Sequence, residues 1–383
     1  MKFFATAAKG TEPALRDELR ELGLPGVRAD RGGVHFDGEL SDGYRACLWS
    51  RIALRVLMPL ATFDAPHERA LYEAVRAIEL GSILTPRHTL VVSAVSRASR
   101  LQHTEYLCQL TKDAVVDRIR DARGERPSVS KRDADVHLFV YLAKDRATLY
   151  LDLAGQALNR RGYRERGAEA PLKETLAAAL LRYSGWDRRS ALADPLCGSG
   201  TLLVEAGSWA RRIAPGLSRQ QFGFERWANF DAGARSTIGA LREEARAAAL
   251  PEGPPLFGRD VSEPALALAR SVTKTAGLAA RIELGELKDA TFEGVSAIVA
   301  NPPYGQRLER GSDLGRELSR LVDRHPDANV ALLLATDQPL GRTRRRPLAP
   351  RDVFNGNLDC VIRCWSARES AGETAGAAPT GES

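Results

Sequence analysis

The sequence predicts an α/β fold in which a doubly wound, Rossmann-like sheet of seven strands follows two smaller α+β units. The length of 383 residues exceeds what one ordinary core supports, so several domains are expected. From about residue 169 to 367, short apolar runs alternate with amphipathic helices, which is the pattern of a parallel sheet. Ahead of this region, strands and helices end in a β-hairpin, which is typical of α+β units.

The front of the chain divides into two α+β units. The first, predicted over residues 1–47, has the strand "KFFATA", a helix with Thr11 as N-cap and Pro13 in its first turn, and the strand "GVHFDG". The second, predicted over residues 48–160, has the strand "TLVVSAVS", a long helix that ends at Gly124, and a hairpin that turns at "KDR".

The third unit is predicted over residues 161–367. Its strand candidates are "ALADP", "PPLFGRD", "ARIEL", "SAIVAN" and "NVALLLA", each separated from the next by a helix or a loop. The turn at Asn355 and Gly356 then predicts an antiparallel hairpin at the edge of the sheet. Residues 368–383 are small and polar, which predicts a disordered tail.

Bulk composition narrows the class of protein. Apolar residues make up 44% of the chain and charged residues 27%, and no apolar run approaches the roughly 20 residues of a membrane span. The five cysteines are scattered without a C-x-x-C pair, and the first residues lack the apolar core of a secretion signal. We therefore expect a cytoplasmic protein with no metal site and no membrane partner.

Positive charge is concentrated in the second unit. Residues 86–166 hold 16 Lys and Arg against 10 Asp and Glu, an excess of 6 that equals the net charge of the whole chain. Such an excess indicates a polyanionic partner. The candidates for backbone contact come from "NRRGYRER" and "RTRRR", and they are Arg160, Arg161, Arg164, Arg166, Arg344 and Arg345. A solvated linker and a solvated sheet edge are the alternative interpretations of these two runs.

The stretch "ADPLCGSGTLLVEAG" predicts a ligand-binding turn between strand and helix. Asp194 closes the strand, and Gly198 and Gly200 allow close approach of the backbone to a ligand. The stretch lacks the residues of a Walker loop and of the G-x-G-x-x-G fingerprint. A carboxylate would repel a pyrophosphate, whereas it suits a cationic ligand such as S-adenosylmethionine. A plain βα turn is the alternative.

Two further carboxylates follow later strands. Asp260 closes the strand "PPLFGRD", in the position that commonly receives ribose hydroxyls. Asp289 follows "ARIEL" and would reach an adenine amino group, although an exposed loop aspartate has the same sequence pattern.

The stretch "IVANPPYG" ends the fourth strand with an amide and two prolines. An exocyclic amine on a base is a poor nucleophile because its lone pair is delocalised into the ring. The Asn301 side-chain oxygen and the Pro302 carbonyl can accept both N–H bonds, and Pro303 helps to hold them rigidly. Tyr304 would stack on a base taken out of its helix.

These motifs in this order resemble class I S-adenosylmethionine-dependent amino-methyltransferases. The combination "NRRGYRERGAEAPLKETLAAALL", "DPLCGSGTLLVEA" and "NPPYG" is similar to the THUMP-domain RNA guanine-N2 methyltransferases, in particular the bacterial 23S rRNA methyltransferase K/L group. The resemblance covers nearly the whole chain. It implies a ferredoxin-like part, a THUMP RNA-binding domain and a single methyltransferase domain, since few residues follow Ala367.

The resemblance also implies roles for the site residues. The methionine end of the cofactor would lie against the loop and the helix "PLKETLAAALL", with the residues Asp194, Leu196, Gly198, Gly200, Thr201, Glu174 and Thr175. Asp260 would hold the ribose and Asp289 the adenine. The guanine would face Asn301, Pro302 and Tyr304, with Asn301 also near the cofactor.

The expected function is methylation of the N2 amine of a guanosine in structured RNA, with 23S rRNA favoured and tRNA left open. A non-catalytic THUMP protein of ribosome assembly is the alternative from another class. A THUMP-bearing thiolation protein would need a Ser-Gly-Gly-x-Asp-Ser loop, which the sequence lacks. DNA adenine methyltransferases typically carry aspartate where this chain has Asn301. The sequence implies no oligomeric state.

Overall fold

The front half of the chain forms one continuous sheet. The computed structural model describes residues 1–163, 172–303, 313–356 and 358–368. The front strands are β1 (Lys2–Thr6), β2 (Arg28–Asp30), β3 (Gly33–Asp37), β4 (Arg55–Asp64), β5 (Thr89–Arg97), β6 (Ser128–Val129), β7 (Val136–Ala143) and β8 (Arg146–Asp152). Their helices are α1 (Glu12–Glu21), α2 (Leu40–Trp49), α3 (Glu68–Arg76) and α4 (Thr104–Arg123). The strand order is β2-β3-β1-β4-β8-β7-β5-β6.

Strand β4 joins the two predicted front units into this single sheet. Its first residues pair with β1, from Arg55 opposite Thr6 to Leu57 opposite Phe4. The same strand then pairs with β8 as far as Asp64. The predicted hairpin is confirmed as β7 and β8, and Lys144 and Asp145 form its turn with positive φ angles of 52° and 59°.

The two faces of the front sheet differ in burial. In β7 the side chains of Val136, Leu138, Val140 and Leu142 are at most 1% exposed and belong to the core cluster that includes residues of the four helices. The residues between them are partly exposed. Because neighbouring strand residues point to opposite faces, the helices cover one face of this sheet.

The rear half forms the predicted doubly wound sheet. Its strands are β9 (Leu192–Asp194), β10 (Leu256–Asp260), β11 (Arg281–Leu284), β12 (Ala297–Ala300), β13 (Asn329–Ala335), β14 (Arg351–Asn355) and β15 (Leu358–Trp365). Its helices are α5 (Glu174–Tyr183), α6 (Thr201–Ala210), α7 (Ala232–Ala247), α8 (Glu263–Thr275) and α9 (Leu314–Arg324), with short 3-10 helices at Pro215–Ser218, Gly223–Arg226 and Leu287–Asp289.

The order of the rear sheet is β11-β10-β9-β12-β13-β15-β14. The strands from β11 to β13 are parallel, and β15 pairs antiparallel with both β13 and β14. The predicted seven-stranded sheet with an antiparallel edge hairpin is therefore confirmed. The chain direction across the sheet reverses between β9 and β12, and ligands of such folds bind at the carboxyl ends of the strands beside this point.

Both halves contribute to the hydrophobic core under the front sheet, while the rear sheet has further cores of its own. The segment between α6 and β10 sends Phe222, Phe224 and Trp227 into the same cluster as the front sheet. The Phe224 ring is fully buried and stacks on Tyr44 of α2 with 3.8 Å between ring centroids. The domain limits at residues 47, 160 and 367 stay a prediction, and the tail from 369 onward lies outside the described residues. No helix in the described ranges is both long and apolar enough to cross a membrane.

Phe224→Ala tests the shared core. Loss of a buried phenylalanine costs about 3–5 kcal/mol of unfolding free energy, which urea titration followed by circular dichroism measures. Leu348→Ala is the control because Leu348 is 51% exposed, and its effect should stay within about 0.5 kcal/mol. A Phe224→Ala variant that unfolds at the same urea concentration as the parent would contradict a core common to both halves.

Candidate active site

The predicted site residues meet at one edge of the rear sheet. Asp194 is the last residue of β9, and its register partner on β10 is Gly258, so Asp260 lies two residues further along that strand. On the other side of β9, the parallel strand β12 ends at Ala300, directly before Asn301. The carboxyl ends of three neighbouring strands therefore present two carboxylates and one amide side by side.

The loop after β9 is held by the two carboxylates. The Leu196 backbone N–H donates to Asp194 Oδ1 at 3.2 Å, and the Gly198 N–H donates to Asp260 Oδ2 at 2.9 Å. Gly200 precedes α6 with φ of +83°, and a Cβ atom there would lie 3.0 Å from the Cα atom of Ala269. Glycine is therefore required at Gly200 both by its backbone conformation and by the close approach of α8.

The two carboxylates form an acidic pair, Asp194 and Asp260. Asp194 is 1% exposed, and burial raises its pKa well above the usual value, with a further rise from the charge of Asp260. The hydrogen bond from Leu196 opposes this rise. Within the described ranges, no ion pair involves either carboxylate. A buried acid in this state favours a cationic ligand, because a nearby positive charge stabilises the ionised form.

Other chemistry at this edge is less suited to the residues present. Burial, and then the charges of Asp194 and Asp260, raise the pKa of the Cys197 thiol, which keeps this thiol neutral. In the described part of the chain, no group of three or more His, Cys, Asp or Glu residues is placed to hold a metal ion. A neutral thiol is a weak nucleophile, so Cys197 is not suited to covalent catalysis.

The Asn301 side chain carries a buried acceptor at the end of β12. Its Oδ1 atom is buried and has no hydrogen-bond partner among the described residues. Pro302 is buried beside it, and the Pro303 carbonyl accepts a hydrogen bond of 3.2 Å from Gln338 Nε2. Gln338 Oε1 in turn accepts from the Ala335 N–H at 3.3 Å, which ties the turn to the end of β13.

Gln338 is a positioning residue that the sequence did not reveal. It follows the fifth strand in "TDQPLG", and nothing in one sequence distinguishes it from an exposed loop residue. Tyr304, which was predicted to stack on the base, lies outside the described residues.

Helix α5 brings two more candidates into the interior. Glu174 and Thr175 at its first turn are 4% and 2% exposed. Thr175 Oγ1 is buried without a hydrogen-bond partner in the part of the chain that the structure describes. Asp289 ends the 3-10 helix after β11, at the same sheet edge, and its side chain is exposed.

The structure contradicts the prediction that Arg161 contacts RNA. Arg161 is 4% exposed, and its guanidinium donates to the carbonyl oxygens of Leu158 at 2.7 Å and Arg51 at 2.5 Å. Its Nε atom lies 3.4 Å from Glu205 Oε1 on α6. These contacts engage the guanidinium inside the protein, where it satisfies buried acceptors that would otherwise be unpaired.

The predicted RNA contact of Arg345 is corrected for the same physical reason, which is burial of the guanidinium. It is 9% exposed, and it donates to the carbonyl oxygens of His325 at 2.8 Å and Ala328 at 2.9 Å. It thereby caps the carboxyl end of α9, where helical carbonyls lack partners of their own. Arg160 and Arg344 are exposed, and Arg164 and Arg166 lie outside the described residues.

Comparison with known families assigns all three parts of the chain. Residues 2–57 match the RlmL ferredoxin-like domain, residues 65–152 match the THUMP domain, and residues 161–363 match the RMKL-like methyltransferase domain. The last match alone covers more than half of the chain.

Two curated relatives are both ribosomal RNA large subunit methyltransferases K/L. The protein of Syntrophotalea carbinolica is 44% identical over 82% of this chain and 46% of its own length. The protein of Methylococcus capsulatus is 39% identical over 98% of this chain and 53% of its own length. The chain thus spans about half the length of these relatives.

Solved structures share the fold over almost the full chain. The structure of SMU.472 in complex with SAH has a TM-score of 0.83 and 27% identity, and it covers 96% of this chain and 98% of that chain. A predicted N6-adenine-specific DNA methylase from Listeria monocytogenes has a TM-score of 0.80 and 29% identity, with coverages of 95% and 96%. Together with the matched domains, these likenesses show that the chain belongs to the RMKL-like methyltransferase family, with a ferredoxin-like domain and a THUMP domain ahead of its catalytic domain.

Proposed function

We propose that this protein transfers a methyl group from S-adenosylmethionine to the N2 amine of a guanosine in structured RNA, with 23S rRNA as the target. The observation that carries the proposal is the buried Oδ1 atom of Asn301, which has no hydrogen-bond partner among the described residues and lies at the sheet edge beside Asp194. A buried acceptor without a donor is costly, and it signals a ligand that brings an N–H group.

The residues present fit S-adenosylmethionine, which would supply an activated methyl group. The acidic pair of Asp194 and Asp260 has no cation of its own in the described ranges, and the ligand carries both a sulfonium and an ammonium group. Asp260 at the end of β10 would hold the ribose, and Asp289 in the 3-10 helix after β11 would hold the adenine. The methionine end would be held by the loop after β9 and the first turn of α5. The residues are Asp194, Leu196, Gly198, Gly200, Thr201, Glu174 and Thr175. The SAH complex of the similar structure SMU.472 supports this choice.

The protein's part in the reaction is to hold and orient the amine. Asn301 Oδ1 and the Pro302 carbonyl accept the two N–H bonds, which favours a pyramidal nitrogen with its lone pair directed away from these two acceptors. Gln338 fixes the turn through the Pro303 carbonyl. No general base is required, because the methylated amine can release its extra proton to water.

In this proposal the front half of the chain binds the RNA substrate. The THUMP match, the basic excess of residues 86–166 and the rRNA named for both curated relatives support an RNA substrate. Arg160 and Arg344 are exposed cations available for phosphate contact. Action on rRNA places the protein in the cytoplasm.

Two other substrates define the alternatives. The name of the Listeria structure points to adenine N6 in DNA, but the neutral Asn301 and the basic front half favour guanine in RNA. A tRNA guanosine satisfies the same acceptors as an rRNA guanosine, so the product test must include both RNAs.

The product test uses the purified protein with S-adenosylmethionine and either 23S rRNA or tRNA. After nuclease digestion, mass spectrometry should find N2-methylguanosine from the 23S rRNA reaction. N6-methyladenosine, or methylation of tRNA alone, would overturn the proposed substrate. Cofactor binding without any methylated product would favour the non-catalytic alternative.

Asn301→Ala removes the proposed acceptor. We expect kcat to fall by about 10²–10³-fold, which is the usual effect of removing one preorganised transition-state contact. Cofactor affinity measured by calorimetry should change little, because the amide serves the amine. Asn229→Ala is the matched control, since Asn229 is exposed and lies outside the site. Undiminished turnover by Asn301→Ala would refute the acceptor role.

Cofactor affinity should increase with pH through the pKa of Asp194. Burial raises this pKa, so the free protein keeps a proton on Asp194 at pH values where an exposed aspartate has lost it. A cation beside the carboxyl lowers the pKa, so binding releases a proton and tightens as pH rises. Calorimetry in buffers of different ionisation enthalpy detects this proton.

Asp194→Asn should flatten the pH profile, whereas Asp359→Asn, at an exposed position, should not. A binding enthalpy that is independent of the buffer in the parent protein would contradict the role of Asp194.

A further inference from the structure

A row of aromatic rings crosses the front sheet. The His35 ring lies 4.7 Å from Phe4, the Phe4 ring lies 6.5 Å from Tyr150, and the Tyr150 ring lies 6.3 Å from Phe139, measured between centroids. These four residues stand on β3, β1, β8 and β7, with β4 between β1 and β8. We call these four residues the ring row.

The ring row lies on the face that the helices leave open. All four side chains are partly exposed, and none belongs to the core cluster or packs against it. Their strand neighbours Phe3, Leu138 and Leu149, by contrast, are at most 1% exposed in that core. Within the described ranges, the rings are therefore accessible from one side, although aromatic side chains of this size are usually covered.

The surroundings of the ring row are polar and carry charges of both signs. Asp30 Oδ2 lies 3.1 Å from His35 Nε2, and Asp64 stands opposite Arg146. Thr62 and Thr148 hydrogen-bond each other across β4 and β8 at 2.9 Å on the same face. Arg28 stands opposite His35, and Arg97 and Arg146 lie on the strands beside Phe139. None of these three arginines forms an ion pair in the described part of the chain. Asp30 contacts the His35 end of the row, whereas Arg97 and Arg146 lie at the Phe139 end. Partly exposed rings with arginines free of ion pairs in the described ranges suit an anionic ligand with aromatic groups.

The same face leads to the catalytic half. His137 lies two residues before Phe139 on β7, and it lines a polar cleft of about 460 Å³. Arg160 and Gly162 of the segment that enters the catalytic domain line the same cleft, together with Arg226. A strand of RNA on the ring row would therefore continue past exposed Arg160 toward the rear sheet.

We infer that the ring row is a stacking platform for unpaired nucleotides of the RNA substrate, separate from the pocket that receives the target base. Every base has a π-face, so rings at this spacing bind single strands with little sequence preference, while cations at the border hold the backbone. A duplex hides its base faces, so it gains only the charge contacts. This inference rests on the proposed RNA substrate, and it assigns the selection of unpaired segments to the front sheet.

The test removes rings while keeping apolar volume. Tyr150→Leu and Phe139→Leu are compared with the parent by fluorescence anisotropy, using a labelled RNA of about 12 nucleotides as a single strand and as a blunt duplex. The parent should prefer the single strand. Each leucine variant should weaken single-strand binding by about tenfold and leave duplex binding unchanged.

Matched controls separate stacking from folding. Tyr150→Phe keeps the ring and should bind as the parent does. Tyr106→Leu removes an aromatic residue that is 45% exposed on α4, away from the ring row, and should also bind normally. All variants should keep the parent's urea midpoint and cofactor affinity.

The outcomes distinguish this inference from the proposed function. Leucine variants that bind single strands like the parent would overturn the platform, even if methylation of 23S rRNA is found. Ring-dependent binding in a protein that methylates no RNA would support the platform and refute the proposed enzyme. A parent dimer that dissociates in Tyr150→Leu, without a change in RNA binding, would overturn the platform and assign the face to self-association.

Discussion

The buried guanidinium of Arg161 is the contact on which the arrangement of the two halves depends. It bonds to the carbonyl oxygens of Leu158 and Arg51 in the front half and lies beside Glu205 on α6. A buried charge is tolerated only with this degree of pairing, so the three segments are held in one geometry. Because α6 begins at the end of the loop after β9, the contact links the placement of the front sheet to the placement of that loop.

The carboxyl ends of three neighbouring strands, β10, β9 and β12, carry side chains of two kinds. On one side, Asp194 and Asp260 are acids that form no ion pair in the described ranges. On the other side, Asn301 is a neutral amide directly before two prolines. An aspartate at position 301 would add a third carboxyl group near the first two, and neighbouring carboxylates raise one another's pKa.

The sequence predicted the parts of the molecule that depend on local patterns. Strand ends marked by Asp194, Asp260 and Asn301 were recognisable, because polar residues directly after apolar runs fall at one edge of a parallel sheet. The burial of Arg161 and Arg345 could not be predicted, because composition does not show whether an arginine faces water or a buried carbonyl. The shared core and the hydrogen bond from Gln338 to the Pro303 carbonyl could not be predicted either, since both depend on contacts between residues distant in the chain.

The packing of Phe224 against Tyr44 also bears on how the chain matures during synthesis. These residues are 180 positions apart, from 224 minus 44, so the front core stays incomplete until the later segment leaves the ribosome. At about 5–20 residues per second, that interval lasts roughly 10–40 s. Throughout it, the surface that later receives Phe222, Phe224 and Trp227 is uncovered, which exposes the nascent chain to aggregation and makes it a natural client for chaperones.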